Sequence, residues 1–123
     1  MDADGPTVSI QGSVEATQFI HSSSRALKTD FTPVDARSVL EKLVAVPITT
    51  WCFRSDRSSE RHMRPVAEDF RSAFDIGDGK HISTIDAAGV VMAAIQGLEQ
   101  VVQEKEVEIG FLRTELDREV ERR

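Results

Sequence analysis

Tyrosine is absent, tryptophan and cysteine occur once each, and the 123 residues hold only six phenylalanines. With so few large side chains a single protomer has little from which to build a core, and a domain of this size is marginal without one. Association with further copies is therefore expected before any motif is read. The lone Cys52 forms no intrachain disulfide, and inside the apolar run Ile48 to Phe53 it reads as a small core residue. Cations are outnumbered, with 15 Lys and Arg against 21 Asp and Glu, a formal net charge of -6 and a pI near 5.0. Neutralising phosphates requires clustered Lys and Arg, so nucleic acid is not expected as a direct partner. No stretch approaches the roughly 18 apolar residues of a membrane span. The amino terminus, Met-Asp-Ala-Asp-Gly-Pro, lacks the basic and apolar regions of a signal peptide. These absences predict a soluble product made in the cytoplasm, with no membrane partner.

What is present is an ordinary soluble balance, 40% apolar and 29% charged, enough for one domain with extensions. From Thr7 to Ile20 apolar and polar residues alternate loosely, with Gly12 as a break, which predicts short half-buried strands, a β arm. His21 to Arg25 is a polar cluster of the kind that marks an exposed loop. Asp35 is placed to cap a helix whose Val39, Leu40 and Leu43 share one face, and Pro47 prevents it from continuing. Ile48 to Phe53 is rich in β-branched and aromatic residues and predicts a buried strand. A short strand near His62 to Arg64 would complete a hairpin. Pro65 then opens a helix carrying Val66, Phe70, Ala73 and Phe74. The fold class predicted is α+β, a small helix and strand domain with an N-terminal β arm and a long C-terminal helix.

That last helix, expected over about residues 87–123, carries the clearest periodicity. Val91, Ile95, Leu98, Val102, Ile109, Leu112 and Leu116 fall on a heptad frame, with Lys105 and Glu119 as polar intrusions. A helix of about 35 residues extends roughly 50 Å, more than so small a domain covers. Its stripe calls for other chains, and the frame by itself leaves dimer and trimer open.

Three ordered blocks resemble the intramolecular chaperone auto-processing domain of phage endosialidases and other tail spikes, a domain shared with myelin regulatory factor. The first is Ser23-Ser24-Arg25-Ala26-Leu27-Lys28, similar to the family's Ser-Asp-x-x-Leu-Lys motif. The second runs Val34 to Leu43 and is followed by Thr50-Trp51. The third, His62-Met63-Arg64-Pro65-Val66-Ala67-Glu68-Asp69-Phe70, resembles a His-x-Gly-Pro-x-Ala-Gln-Asp-Phe element. His81 to Asp86 and Ala93 to Leu98 complete the pattern. Ser24 stands where the family often has Asp, and Arg64 and Glu68 replace Gly and Gln.

The resemblance implies a domain organisation of residues 1–22 as the end of a β-structured stalk and 23–123 as the chaperone. It implies a homotrimer that assists assembly of its own upstream stalk in a tail spike or fibre, then cuts itself off between Ser22 and Ser23. Assembly would take place in the host cytoplasm, and the parent protein would sit on the virion tail. Carried over by position, Ser23 is the nucleophile and Lys28 its base, and no cofactor is called for. A non-cleaving trimerisation cap of the same fold is the alternative. A regulatory module is a weaker third reading, because the chain has no room for a DNA-binding domain.

The chemistry sets its own demands. A serine hydroxyl needs a base, and an amine serves only when neutral, so the lysine of such a pair must be desolvated. Residues five apart lie on different faces of a helix and on opposite faces of a strand. The segment Ser23 to Lys28 must therefore turn back on itself. His21, His62 and His81 are too scattered for a metal spacing and are expected to be structural.

Overall fold

In the computed structural model, residues 6–123 are described, and the chain divides into two units, Met1–Phe31 and Thr32–Arg123. The first unit has one regular element, a 3-10 turn at Arg25–Leu27. Pro6 to Ile20 forms no strand, which corrects the expected β arm; residues 1–5 of that arm lie outside the described residues. The alternation was real, but a strand exists only when a neighbour accepts its hydrogen bonds, and none of the described residues pairs with this segment. Val8, Ile10 and Ile20 are left largely exposed.

The second unit starts where the side chain of Asp35 accepts a hydrogen bond from the Ser38 amide at 3.2 Å and caps helix α1, Ala36–Ala45. Val46 ends that helix in an extended conformation one residue before Pro47. Strands β1, Thr49–Trp51, and β2, His62–Arg64, pair antiparallel with Trp51 opposite His62. Trp51 Nε1 donates to the Arg64 carbonyl, and the Arg61 guanidinium grips the Thr50 carbonyl at 2.9 Å. The hairpin is present as expected, but the buried strand expected over Ile48 to Phe53 is corrected: Thr49 and Thr50 are exposed and Trp51 is half-buried.

Helix α2, Ala67–Phe74, begins two residues after Pro65 and stacks Phe70 on Phe74 with ring centroids 5.0 Å apart. Asp75, in the left-handed region, closes it. Helix α3, Thr84–Arg122, is capped by Ser83 and starts a few residues earlier than the heptad frame suggests.

The core lies between α1 and α3 and is thin: Ala36, Val46, Phe70, Val90 and Ala94 are its buried apolar residues. The helices meet through small side chains. At Gly97 an added Cβ would collide with the Ala36 carbonyl and lie 2.8 Å from its carbon, so the backbones touch where no side chain intervenes. Arg37 reaches Glu104 at 2.9 Å at the far end of this contact. The guanidinium, by hydrogen bond first, holds the Glu104 carboxyl below its ordinary range.

The face of α3 that meets α1 carries Val90, Ala94 and Gly97, while the heptad stripe, one residue round the helix, stays open. Val91, Ile95, Leu98 and Val102 are between 41% and 61% exposed, and Ile109, Leu112 and Leu116 between 49% and 64%. An 18-residue window of α3 has mean hydropathy 1.3 and is 17% buried, so by length and composition this helix could cross a bilayer. The expectation that no stretch is apolar enough for a span is corrected on that measure. Ala87 to Ile95 is apolar all round; farther along α3 the apolar residues keep to stripes, which suits helical partners.

Candidate active site

The turn Arg25–Leu27 forms because Ser24 starts it from an extended conformation and its hydroxyl accepts the Ala26 amide at 3.3 Å. The Leu27 amide donates to the Ser24 carbonyl at 3.0 Å, and the Lys28 amide to the Arg25 carbonyl at 3.1 Å. Lys28 itself is extended again. One tight turn with extended residues on both sides reverses the chain. The Lys28 side chain is carried back to its fifth predecessor, and Nζ donates to Ser23 Oγ at 2.6 Å. The loop-like return that the chemistry demanded is thus present, and the two proposed reactive side chains are in hydrogen-bond contact.

Beyond Lys28 the backbone turns once more at Asp30, which is left-handed at φ 56°, and the Arg25 guanidinium sits 5.3 Å over the Phe31 ring. Every residue from Ser22 to Phe31 is exposed in this single chain. In this contact Nζ is the donor; base catalysis needs the reverse, a neutral amine that accepts the Ser23 proton.

The two histidines of the second unit have separate surroundings. His62 lies among the Trp51 and Phe53 rings, each centroid 5.3 Å away. His81 Nδ1 meets Asp78 Oδ2 at 2.7 Å, and the same carboxylate accepts the Lys80 and His81 amides, all of which hold Asp78 far below the usual carboxylate range. Sequence spacing missed one grouping, in which ligand atoms of Asp56, Glu60 and His62 lie within 4.8 Å of one another on the hairpin loop. The Asp56-x-x-x-Glu60-x-His62 spacing was the available signal. Asp56 Oδ1 is already engaged by the Ser58 amide and hydroxyl at 2.9 and 2.7 Å, which is the economy of a loop-ordering network.

Residues 23–76 match the model of a peptidase family described as the chaperone of endosialidase. That segment is a chaperone-of-endosialidase domain. The match opens on Ser23, the residue whose hydroxyl Lys28 contacts, and runs through α1, the hairpin and α2. The blocks His81 to Asp86 and Ala93 to Leu98 lie beyond it. No curated protein matches the chain.

Proposed function

We propose that this chaperone domain trimerises through α3, supports assembly of a β-structured stalk in its own polypeptide, and then releases itself by serine chemistry at Ser23. The observation that carries the reading is the 2.6 Å contact between Lys28 Nζ and Ser23 Oγ at the first residue of the family match. In the proposed reaction neutral Lys28 takes the hydroxyl proton as Ser23 Oγ attacks the Ser22 carbonyl carbon. The Ser22–Ser23 C–N bond breaks, the Ser23 nitrogen leaves as an amine after gaining a proton, and an ester joins Ser22 to Ser23 Oγ. Water then hydrolyses the ester, leaving a Ser22 carboxylate and the restored hydroxyl.

A lysine serves as a base only when neutral, which calls for desolvation, and the segment from Ser22 to Phe31 is exposed, so the proposed reaction needs added cover. A neighbouring protomer supplies it in this reading, which ties cutting to assembly. The a positions of α3, Ile95, Val102, Ile109 and Leu116, and the d positions Val91, Leu98 and Leu112 make the trimer seam. In a parallel arrangement Glu108 at g faces Arg113 at e of the next chain, an attractive pair. The parent protein would be a phage tail spike or fibre assembled in the host cytoplasm.

Intact mass of freshly made protein tests the proposal. Loss of residues 1–22 is expected from the wild type, and Ser23→Ala and Lys28→Ala should each leave full-length, trimeric chains. Continued cutting at Ser22–Ser23 in either variant would exclude the dyad. The exposure of Lys28 favours a second reading, a trimerisation cap that never cuts. An uncut wild-type trimer would select it.

A further inference from the structure

We infer that Ser24 is a positioning residue for the Ser23–Lys28 pair: its side chain caps the turn that returns Lys28 to Ser23. The inference rests on the self-cleavage reading and adds a residue to it. Three observations carry it. Ser24 Oγ accepts the Ala26 amide at 3.3 Å, and the Ser24 carbonyl accepts the Leu27 amide at 3.0 Å, so one residue supplies two of the acceptors that define the turn. The turn is three residues long and fully exposed, with no buried side chain to hold it in this chain. A turn that short has no cooperative reserve, because nucleation fixes several dihedrals for one hydrogen bond. Its population therefore depends on the cap, and the Ser23–Lys28 contact depends on the turn.

Serine, asparagine and aspartate cap comparably well, whereas alanine does not cap. That equivalence also gives a physical reason for Ser to stand where Asp is usual: both accept the same amide. The position is thus defined by an acceptor at a fixed place rather than by charge. Farther along, the Arg25 guanidinium over Phe31 braces the return of the chain after Lys28, a weaker and later contact of the same loop.

The experiment compares Ser24→Ala, Ser24→Asn and Ser24→Asp in the full chain, with Ser23→Ala as the zero of cleavage. The rate of appearance of the fragment beginning at Ser23 should fall about three- to tenfold in Ser24→Ala and stay near wild type in Ser24→Asn and Ser24→Asp. The pH midpoint of the rate should not move in Ser24→Ala, since the cap sets how often the turn is closed and not the proton affinity of the lysine. In parallel, the turn is followed by NMR in the non-cutting Ser23→Ala chain through the NOE between Arg25 Hα and the Lys28 amide proton. It should persist with Ser, Asn or Asp at position 24 and weaken with Ala.

A rate unchanged in Ser24→Ala, or lost equally in all three variants, overturns the inference, as does a turn that survives the alanine. If the wild type does not cut, the self-cleavage reading fails by itself, and the NOE still decides whether Ser24 holds Lys28 against position 23.

Discussion

The two ends of α3 are the same helix in different surroundings. From Thr84 to Glu104 one face lies against α1, through Val90, Ala94 and Gly97, and the Arg37–Glu104 pair closes that contact. After Glu104 no described residue of the chain covers the helix on any side, and Ile109, Leu112 and Leu116 stand about half exposed or more. The first part is bound by its own domain; none of the described residues holds the second. Most helical stability in proteins comes from packing of an apolar face, which the proximal part has within its own domain and the distal part would gain in the proposed trimer. The difference separates two parts of one element: small residues close the domain, and large ones on the adjacent stripe stay open, where the proposed trimer would cover them.

Removing the distal part gives the largest effect. Deletion of Glu99 to Arg123 takes the end of the proximal part with it, Glu104 included, and removes Val102, Ile109, Leu112 and Leu116, each contributing about 1.5 to 3 kcal/mol when fully buried. Light scattering should show a monomer in place of a trimer. Circular dichroism should show a retained but smaller helical signal. Cutting at Ser22–Ser23 should stop, because separated chains leave Lys28 in water. Efficient processing by a folded monomer would break the link between assembly and chemistry.

The proximal part is tested at Gly97. A side chain there must push against the Ala36 backbone, which cannot rotate away as a side chain would. Gly97→Val should lower stability by about 3 kcal/mol, the upper end of the usual cost of overpacking. Thermal melts read this, and a melt equal to wild type would mean that α1 and α3 do not meet closely at this point.

That contrast also shows what the sequence could and could not reveal. The stripe Val91, Ile95, Leu98, Val102 was legible because large apolar side chains recur at heptad spacing. The contact face beside it was not, because Ala94 and Gly97 act by being small and contribute almost nothing to a hydrophobic pattern. Pro47 and Asp35 marked the ends of α1 through rules that depend on one residue each. The alternation of Val8, Ile10 and Val14 misled, since pairing needs a second strand and the pattern names only the first. Ser23 and Lys28 were named through family resemblance alone. Their spacing is unproductive in a helix or strand, and a three-residue turn set by one hydroxyl leaves little trace in composition.

A smaller change sharpens the distal half. Lys105 occupies a d position of the frame, 67% exposed at its side chain and paired within its own helix to Glu108 at 3.3 Å. In a trimer it would place three ammonium groups around one layer. Lys105→Ile should stabilise the trimer by about 1 kcal/mol per chain, less than a full isoleucine burial because the lysine stem already covers part of the seam. Its melting temperature should rise while that of the truncated monomer, which lacks residue 105, sets the baseline. A lowered trimer stability would remove position 105 from the seam and with it the assigned frame.

The smallest effect belongs to the Arg37–Glu104 pair at the junction of the two halves. Both side chains are solvated, at 38% and 62% exposure, so screening leaves the pair little to contribute. Its sign is nevertheless fixed. Arg37 depresses the Glu104 carboxyl, so the folded state holds this proton less tightly than the unfolded chain does. The stabilisation is complete above the unfolded carboxyl value, near 4.3, and is lost as pH falls through the lower folded value. Glu104→Gln should therefore melt slightly below wild type at pH 7, and the gap should close as pH falls through the lowered folded value and the wild-type glutamate takes up its proton. Glu115→Gln, which breaks the pair with Arg118 within α3, serves as the comparison for general loss of an acidic residue. A gap for Glu104→Gln that stays constant across this range would mean that the substitution acts through helix propensity, and that the ion pair does nothing to hold α1 at the end of its contact with α3.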